Sequence, residues 1–248
     1  MRQVLEVEPG NETALRELLQ YYAEQNDGKG VEDISRRGLN YHPEEIAYAY
    51  YLGMALAEQK KLEDAAEVLQ QGLRVRTEDV HPRLLSNVFG GLGDIYYQQQ
   101  KEQEAFAAYD SALVYMEDNI MCLNNYAYYL SLKGEQLDKA EEMSYRTIRQ
   151  EPENITYLDT YAWILFMKQD YAHARTYMDK VVNPNKTDEE LLADERLMGN
   201  IIEHSGDIYA HLGESDTALR LWKLAQQKGD ETCTPQLKKK IKRKKYIK

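Results

Sequence analysis

Residues 52–73 read LGMALAEQKKLEDAAEVLQQGL. Leu52 and Leu56 recur at helical spacing, Glu58-Gln59-Lys60-Lys61 interrupts with polar residues, and Ala65, Val68, Leu69 and Leu73 resume the period. Two amphipathic helices on either side of a polar break make a helical hairpin. Gly53 precedes Ala65 by twelve places, and such a pair recurs as Gly93/Ala105, Ala162/Ala174 and Gly206/Ala218, with Ala127/Ala140 one residue longer and a degenerate Leu19/Val31. The first members lie 34, 40, 34, 35 and 44 residues apart, the two long intervals reflecting insertions of six and ten residues. Six copies of one hairpin therefore fill nearly the whole chain. No stretch alternates with the two-residue period of a strand, so the expected class is all-α.

The copies carry more than a period. The third reads Phe89, Leu92, Gly93, Tyr96, Ala105, Tyr109, Ala112, and the sixth Ile202, Ser205, Gly206, Tyr209, Ala218, Trp222, Ala225. The fourth has Leu123, Tyr126, Ala127, Leu130, Ala140, Thr147 and Pro152, and the first closes with Gly38 and Pro43 in register. This pattern resembles the tetratricopeptide repeat (TPR) family, whose 34-residue unit runs W-x2-L-G-x2-Y, A-x3-F, A, P. The resemblance implies a right-handed α-α superhelix, a single solenoid over 1–248. Its repeats are expected at about 12–45, 46–79, 86–119, 120–154, 155–188 and 199–232, preceded by the end of a further repeat at 1–11 and closed by a basic capping helix at 235–248. The small residues are expected to let the two backbones of each hairpin approach closely.

The chain has 248 residues, a formal charge of −11, 43% hydrophobic and 29% charged residues, enough apolar content for a large core and no uncharged run of membrane-spanning length. Twenty Tyr stand against three Phe and two Trp, rings with a polar handle that suit half-buried surfaces. Segment 236–248 holds eight of the 31 cations and no acid, so the remaining body has 23 basic against 42 acidic residues, a net of −19. Such a body repels phosphate backbones and favours basic side chains, which argues against a nucleic-acid partner, including a helical-repeat RNA binder. Cys122 and Cys233 have neither disulfide-framework nor zinc spacing.

Both long intervals read as extended first helices. Thr187 and Glu190 form a capping box that opens one helix expected to run from about Asp188 to about Leu212. Pro82 suits the first turn of a lengthened third-copy helix, and Asn183-Pro184-Asn185 is a loop. Met1 to Glu8 reads as the tail of a second helix whose partner is missing, so the chain is expected to be a piece of a longer protein with repeats upstream. It carries no targeting signal, and a cytoplasmic or a lipoprotein-anchored periplasmic place both suit it. At the other end Leu237 and Ile241, with Lys245 and Tyr246 beyond, give a helix with one apolar stripe that reads as a cap drawn to the acidic body; a lipid or nucleic-acid contact through its lysines is the alternative.

Function in this architecture lies on the concave face lined by the first helices. The residues expected there are Ala47, Tyr50 and Met54, then Asn87, Gly90, Asp94 and Tyr97, then Asn124, Tyr128 and Ser131. Asp159, Trp163, Phe166 and Met167 follow in the fifth copy, and Glu203, Asp207, Ala210 and His211 in the sixth. Rings and Met offer contact area, Asn pairs with peptide backbone, and the carboxylates favour basic side chains, with Trp163 the leading candidate. A third to a half of the tyrosines are expected to pack between helices instead. The positions with which one TPR subgroup clamps a chaperone carboxylate hold Arg16, Gln20, Tyr51, Asn87 and Gly91, only the first cationic, so that activity does not carry over.

Chemistry finds little support. His204, Asp207 and His211 are spaced i, i+3, i+7 on one helix face, able to bring three ligands toward a metal, but no second shell accompanies them. Gly90-Gly91-Leu92-Gly93 follows no strand and is no phosphate loop; its glycines are expected to weaken the helix and open the groove. The sequence reads as a non-catalytic, cofactor-free scaffold or adaptor that binds a peptide or partner protein, as the resemblance to bacterial multi-TPR proteins implies.

Overall fold

The computed structural model describes residues 1–229 and 231–247; Asp230, within the sixth expected repeat, and Lys248, the last cation of the expected cap, lie outside the described residues. Among those described there are fifteen α-helices and no strand, and no helix is long and apolar enough to cross a membrane. They form two compact units, Met1–Cys122 and Leu123–Lys248. The first holds α1 (Arg2–Val7) and the hairpins α2/α3 (Glu12–Glu24, Gly28–Tyr41), α4/α5 (Ile46–Glu58, Leu62–Val75) and α6/α7 (Pro82–Gln98, Glu102–Tyr115). The unit boundary falls in the first turn of α8 (Ile120–Lys133). The second unit continues with α9 (Leu137–Gln150), the hairpin α10/α11 (Ile155–Met167, Tyr171–Val181) and α12 (Asp188–Ala193). The hairpin α13/α14 (Gly199–His211, Ser215–Lys228) and α15 (Leu237–Arg243) complete it.

One device turns the chain in all six copies. Asn26, Lys60, Gln100, Gly134, Gln169 and Gly213 are left-handed, with φ from 52° to 82°, and each stands seven places after the small-residue position of its copy. The following N–H reaches back to close the first helix: Lys61 to the Leu56 carbonyl at 3.0 Å, Lys101 to Tyr96 at 2.9 Å, Asp170 to Leu165 at 2.9 Å and Glu214 to Tyr209 at 3.0 Å. This is the Schellman closure, which satisfies carbonyls that a helix end would otherwise leave bare. Four of the six carry a side chain where glycine would be relaxed, so the polar breaks seen in sequence are conformationally identical turns.

The small residues work differently from expectation. A Cβ on Gly206 would lie 2.6 Å from the Trp222 ring and one on Gly93 2.8 Å from the Tyr109 ring, so each glycine makes room for the large side chain sixteen places on. The alanines at plus twelve, Ala105 and Ala218, are fully buried beside it. Leu52, Leu56, Leu69, Val88, Leu92 and Ile95 form a core in the first unit, and Leu5, Leu15, Leu18, Ile34 and Tyr48 another. Each such side chain contributes about 1.5–3 kcal/mol by leaving water. The Gly90-Gly91 pair does not open the helix: α6 is continuous, and added Cβ atoms would meet Cys122 Sγ at 2.4 Å and Met54 Sδ at 3.0 Å.

Pro82 opens α6 as expected, Thr187 and Glu190 form the capping box, and turns occupy 184–185. The helix expected from Asp188 to Leu212 is instead two, broken at 194–198. The Asp194 carboxylate takes the Arg196 N–H at 3.2 Å and its guanidinium at 2.7 and 2.9 Å. Lys228 of α14 donates to the Leu192 and Asp194 carbonyls at 3.0 and 2.8 Å, ending α12 with a side chain 34 residues away in sequence. The C-terminal helix is also shorter than expected, stopping at Arg243 because Lys244 turns left-handed at φ 51°.

Candidate functional site

The second unit gathers charge out of water. Glu203 and Asp207, one turn apart on α13, are 0% and 1% exposed, and Lys240 of α15 is 2% exposed between them. Its Nζ donates to Glu203 Oε1 at 2.8 Å and Asp207 Oδ2 at 2.6 Å. The remaining carboxylate oxygens are also served: Trp222 Nε1 donates to Asp207 Oδ1 at 2.9 Å, and the Thr234 N–H to Glu203 Oε2 at 2.7 Å, with the Thr234 hydroxyl on Oε1. Burial pushes the Asp207 carboxyl above its ordinary value, with Lys240 acting against the shift.

Beside this triad a second buried pair joins Asp159 of α10 to His204 Nδ1 at 2.9 Å. Burial pushes the imidazole down, but Asp159, with Asp207 and Glu203 behind it, outweighs burial, and His204 is raised. Trp163 lies flat against His204 at 4.1 Å and stacks on Phe166 at 4.8 Å. Tyr246, just past α15, meets Phe166 at 5.6 Å and His211 at 4.6 Å, edge-on to both. The α15 segment thus lies over the face of the first helices α10 and α13, where the sequence pattern expected open groove.

That arrangement corrects several expectations of exposure. Asp159, Trp163, Phe166, Glu203 and Asp207 are all buried, because the chain's own Lys240 and neighbouring rings cover them. His211 remains exposed, its Nδ1 donating to the Asp207 carbonyl at 3.0 Å, and Met167 is half-buried. The three residues spaced as metal ligands do not converge, since His204, Asp207 and His211 each turn to a different partner; among the described residues no group of three His, Cys, Asp or Glu is placed to hold a metal. Asn124 is buried and Tyr128 half-buried, its ring 5.8 Å from Tyr129.

In the first unit the same helix face is open. Leu19, Gln20, Ala23, Ala47, Tyr48 and Tyr51 line a depression of about 650 Å³. Ala23 and Tyr51 continue into a second of about 340 Å³ with Asn26, Val31, Tyr50 and Met54. Tyr50 and Tyr51 stand edge to face at 5.4 Å, and the rim carries Arg16, whose guanidinium pairs with Glu12 at 2.7 Å and Glu45 at 2.5 Å. Of the residues expected on this face, Ala47, Tyr50 and Met54 line these depressions. Asp94 and Tyr97 are half-buried outside it, Asp94 accepting the Tyr109 hydroxyl.

Seven tyrosines, Tyr22, Tyr48, Tyr109, Tyr126, Tyr157, Tyr161 and Tyr209, are buried, and they include three of the repeat positions, Tyr109, Tyr126 and Tyr209. Lys240, Thr234 and Tyr246 were not among the expected site residues. The available hint was that Lys240 lies on the stripe between Leu237 and Ile241, where a lysine has no reason to be unless an acid awaits it.

Residues 32–77 match the tetratricopeptide repeat family, and no curated protein matches the sequence. Among solved structures, PilW, described as a widely conserved type IV pilus biogenesis factor, is 16% identical with a TM-score of 0.67, over 92% of this chain and 96% of its own. A tetratricopeptide repeat protein from Parabacteroides merdae is 14% identical with a TM-score of 0.59, over 94% and 99%. YrrB, described as a TPR protein with an unusual peptide-binding site, is 14% identical with a TM-score of 0.54, over 73% and 90%. The chain thus has the tetratricopeptide-repeat fold, and residues 32–77 match that family by sequence.

Proposed function

We propose that the chain is a non-catalytic adaptor that binds a segment of a partner protein along the first-helix face. The observation that carries this reading is the pair of joined depressions over α2 and α4, where Tyr50, Tyr51 and Met54 offer half-exposed contact area beside the polar Gln20 and Asn26. A peptide-binding site is described for YrrB, which has the same fold. Cys122 fits a non-catalytic role: it is buried and its thiol is pushed up to about 12 by burial and by Asp94, the reverse of an activated thiolate. The Asp159–His204 pair, which could otherwise serve as a base, is shut under Trp163.

Affinity capture from the source cell tests this with wild type and a Tyr51→Ala/Met54→Ala chain. Loss of a specifically retained protein from the variant, with its circular dichroism unchanged, is the expected result. Equal recovery from both would remove this face as the binding site.

A further inference from the structure

We propose that residues 232–246 are a displaceable internal ligand, and that the acidic socket they fill is a binding site for a lysine-bearing amphipathic segment of a partner protein. This rests on the adaptor reading and names, for the second unit, the chemistry of the partner and the means of regulation.

The socket is built for a cation. Glu203 and Asp207 are buried on one face of α13 while Ile201, Ile202, Ile208 and Tyr209 supply that helix with its core contacts. Two carboxyl groups out of water demand compensation, and the Lys240 ammonium reaches both. Trp222 Nε1 is a neutral donor that stays with the body, whereas the Thr234 N–H and hydroxyl arrive with the segment itself, so the segment brings three donors to the two acids. A plain cap needs none of this; apolar residues alone would cover the last hairpin.

The occupant has the marks of a ligand. α15 is seven residues long, too short for stable helix on its own, and turns at 231–232 and 235–236 precede it. The segment is held at separate points: Thr232, whose hydroxyl accepts the Asn200 N–H at 3.0 Å, Thr234 on Glu203, Leu237, 4% exposed, Lys240 in the socket, Ile241 half-buried, and Tyr246 on Phe166 and His211. Lys238, Lys239, Lys242, Arg243, Lys244 and Lys245 are exposed and make no contact with the socket. They add attraction toward a body of net −19 without fixing a geometry. A partner segment with an aliphatic residue three places before a lysine, another just after it and an aromatic residue six places on meets the same walls. The tethered segment competes at millimolar effective concentration, which weakens such a partner until the tether is outbid or lifted.

The test uses the full chain and a labelled synthetic peptide of residues 232–247, read by fluorescence anisotropy. In Leu237→Ser/Ile241→Ser the internal copy is loosened while the socket is untouched. We expect the peptide to bind that variant about ten- to a hundredfold more tightly than wild type. Adding Glu203→Gln and Asp207→Asn should abolish binding. A folded variant that binds no better than wild type overturns the proposal, and so does global loss of helix in the variant, which would make α15 an integral cap. A wild-type dimer that the variant converts to monomer would overturn the partner assignment and make a second copy the occupant. The peptide result is independent of Tyr51 and Met54, so failure here and failure of the adaptor reading are separable.

Discussion

Lys240 Nζ lies 2.6 Å from Asp207 Oδ2, an ion pair in which neither side chain is more than 3% exposed and whose members are 33 residues apart in sequence. Glu203 shares the same ammonium at 2.8 Å, so one cation bridges two carboxylates on a single helix turn.

Removing the ammonium in Lys240→Met separates a fixed from a displaceable contact. A permanently buried pair that loses one partner costs about 3–5 kcal/mol. If the α15 segment lifts and water reaches the carboxylates, the loss should stay at about 1–3 kcal/mol. Urea unfolding gives the size of the loss. Hydrogen exchange should show residues 237–243 unprotected while α13 and α14 keep their protection.

The Asp159–His204 pair sets a pH dependence. His204 is raised above its ordinary 6.5 in the folded state, so it contributes stability that is complete below that value and lost as pH rises through the raised one. The groups facing it are Asp159 from α10, Glu203 and Asp207 from α13, and Lys240 from α15. The stability gap between wild type and His204→Gln, followed by thermal unfolding from pH 5.5 to 9, should therefore be widest at the acid end. A gap that is flat or widens with pH would contradict the assignment.

The left-handed turns predict stabilising substitutions. Gln169 has φ 65° and an exposed side chain. A side chain there costs about 1–2 kcal/mol, against about 0.5–1 kcal/mol of extra chain entropy for glycine. Gln169→Gly should raise stability by about 0.5–1 kcal/mol, visible as an upward Tm shift of a few degrees.

The two tryptophans should respond unequally to phenylalanine. Trp222 is 1% exposed and its Nε1 is the donor to Asp207 Oδ1, so Trp222→Phe leaves a buried carboxylate short of a partner as well as a cavity. Trp163 Nε1 has no acceptor, and Trp163→Phe loses volume and part of the ring stacking on His204 and Phe166 but no hydrogen bond. Denaturant unfolding should show Trp222→Phe costlier by about 1–3 kcal/mol.

The repeat register was legible residue by residue. Gly53, Gly93, Ala127, Ala162 and Gly206 lie on first helices, with a left-handed residue seven places after each. The break at 194–198 was not legible, because Lys228 arrives from another helix to take the carbonyls that a longer helix would have used. The Gly90-Gly91 pair misled for a similar reason: glycine signals both loose helix and close approach, and only the positions of Cys122 and Met54 tell which applies.

What the sequence alone determined is the set of hairpins: period, small residues and polar breaks are local signals, each acting within about 34 residues and repeated six times. The open or filled state of the first-helix face was decided by tertiary structure. It depends on where a lysine 33 and 37 residues beyond two acids comes to rest, and no local pattern fixes that. Electrostatic demand in the socket was written into Glu203 and Asp207, but a buried carboxylate is satisfied by whichever cation the fold brings near, and here the fold brings the chain's own.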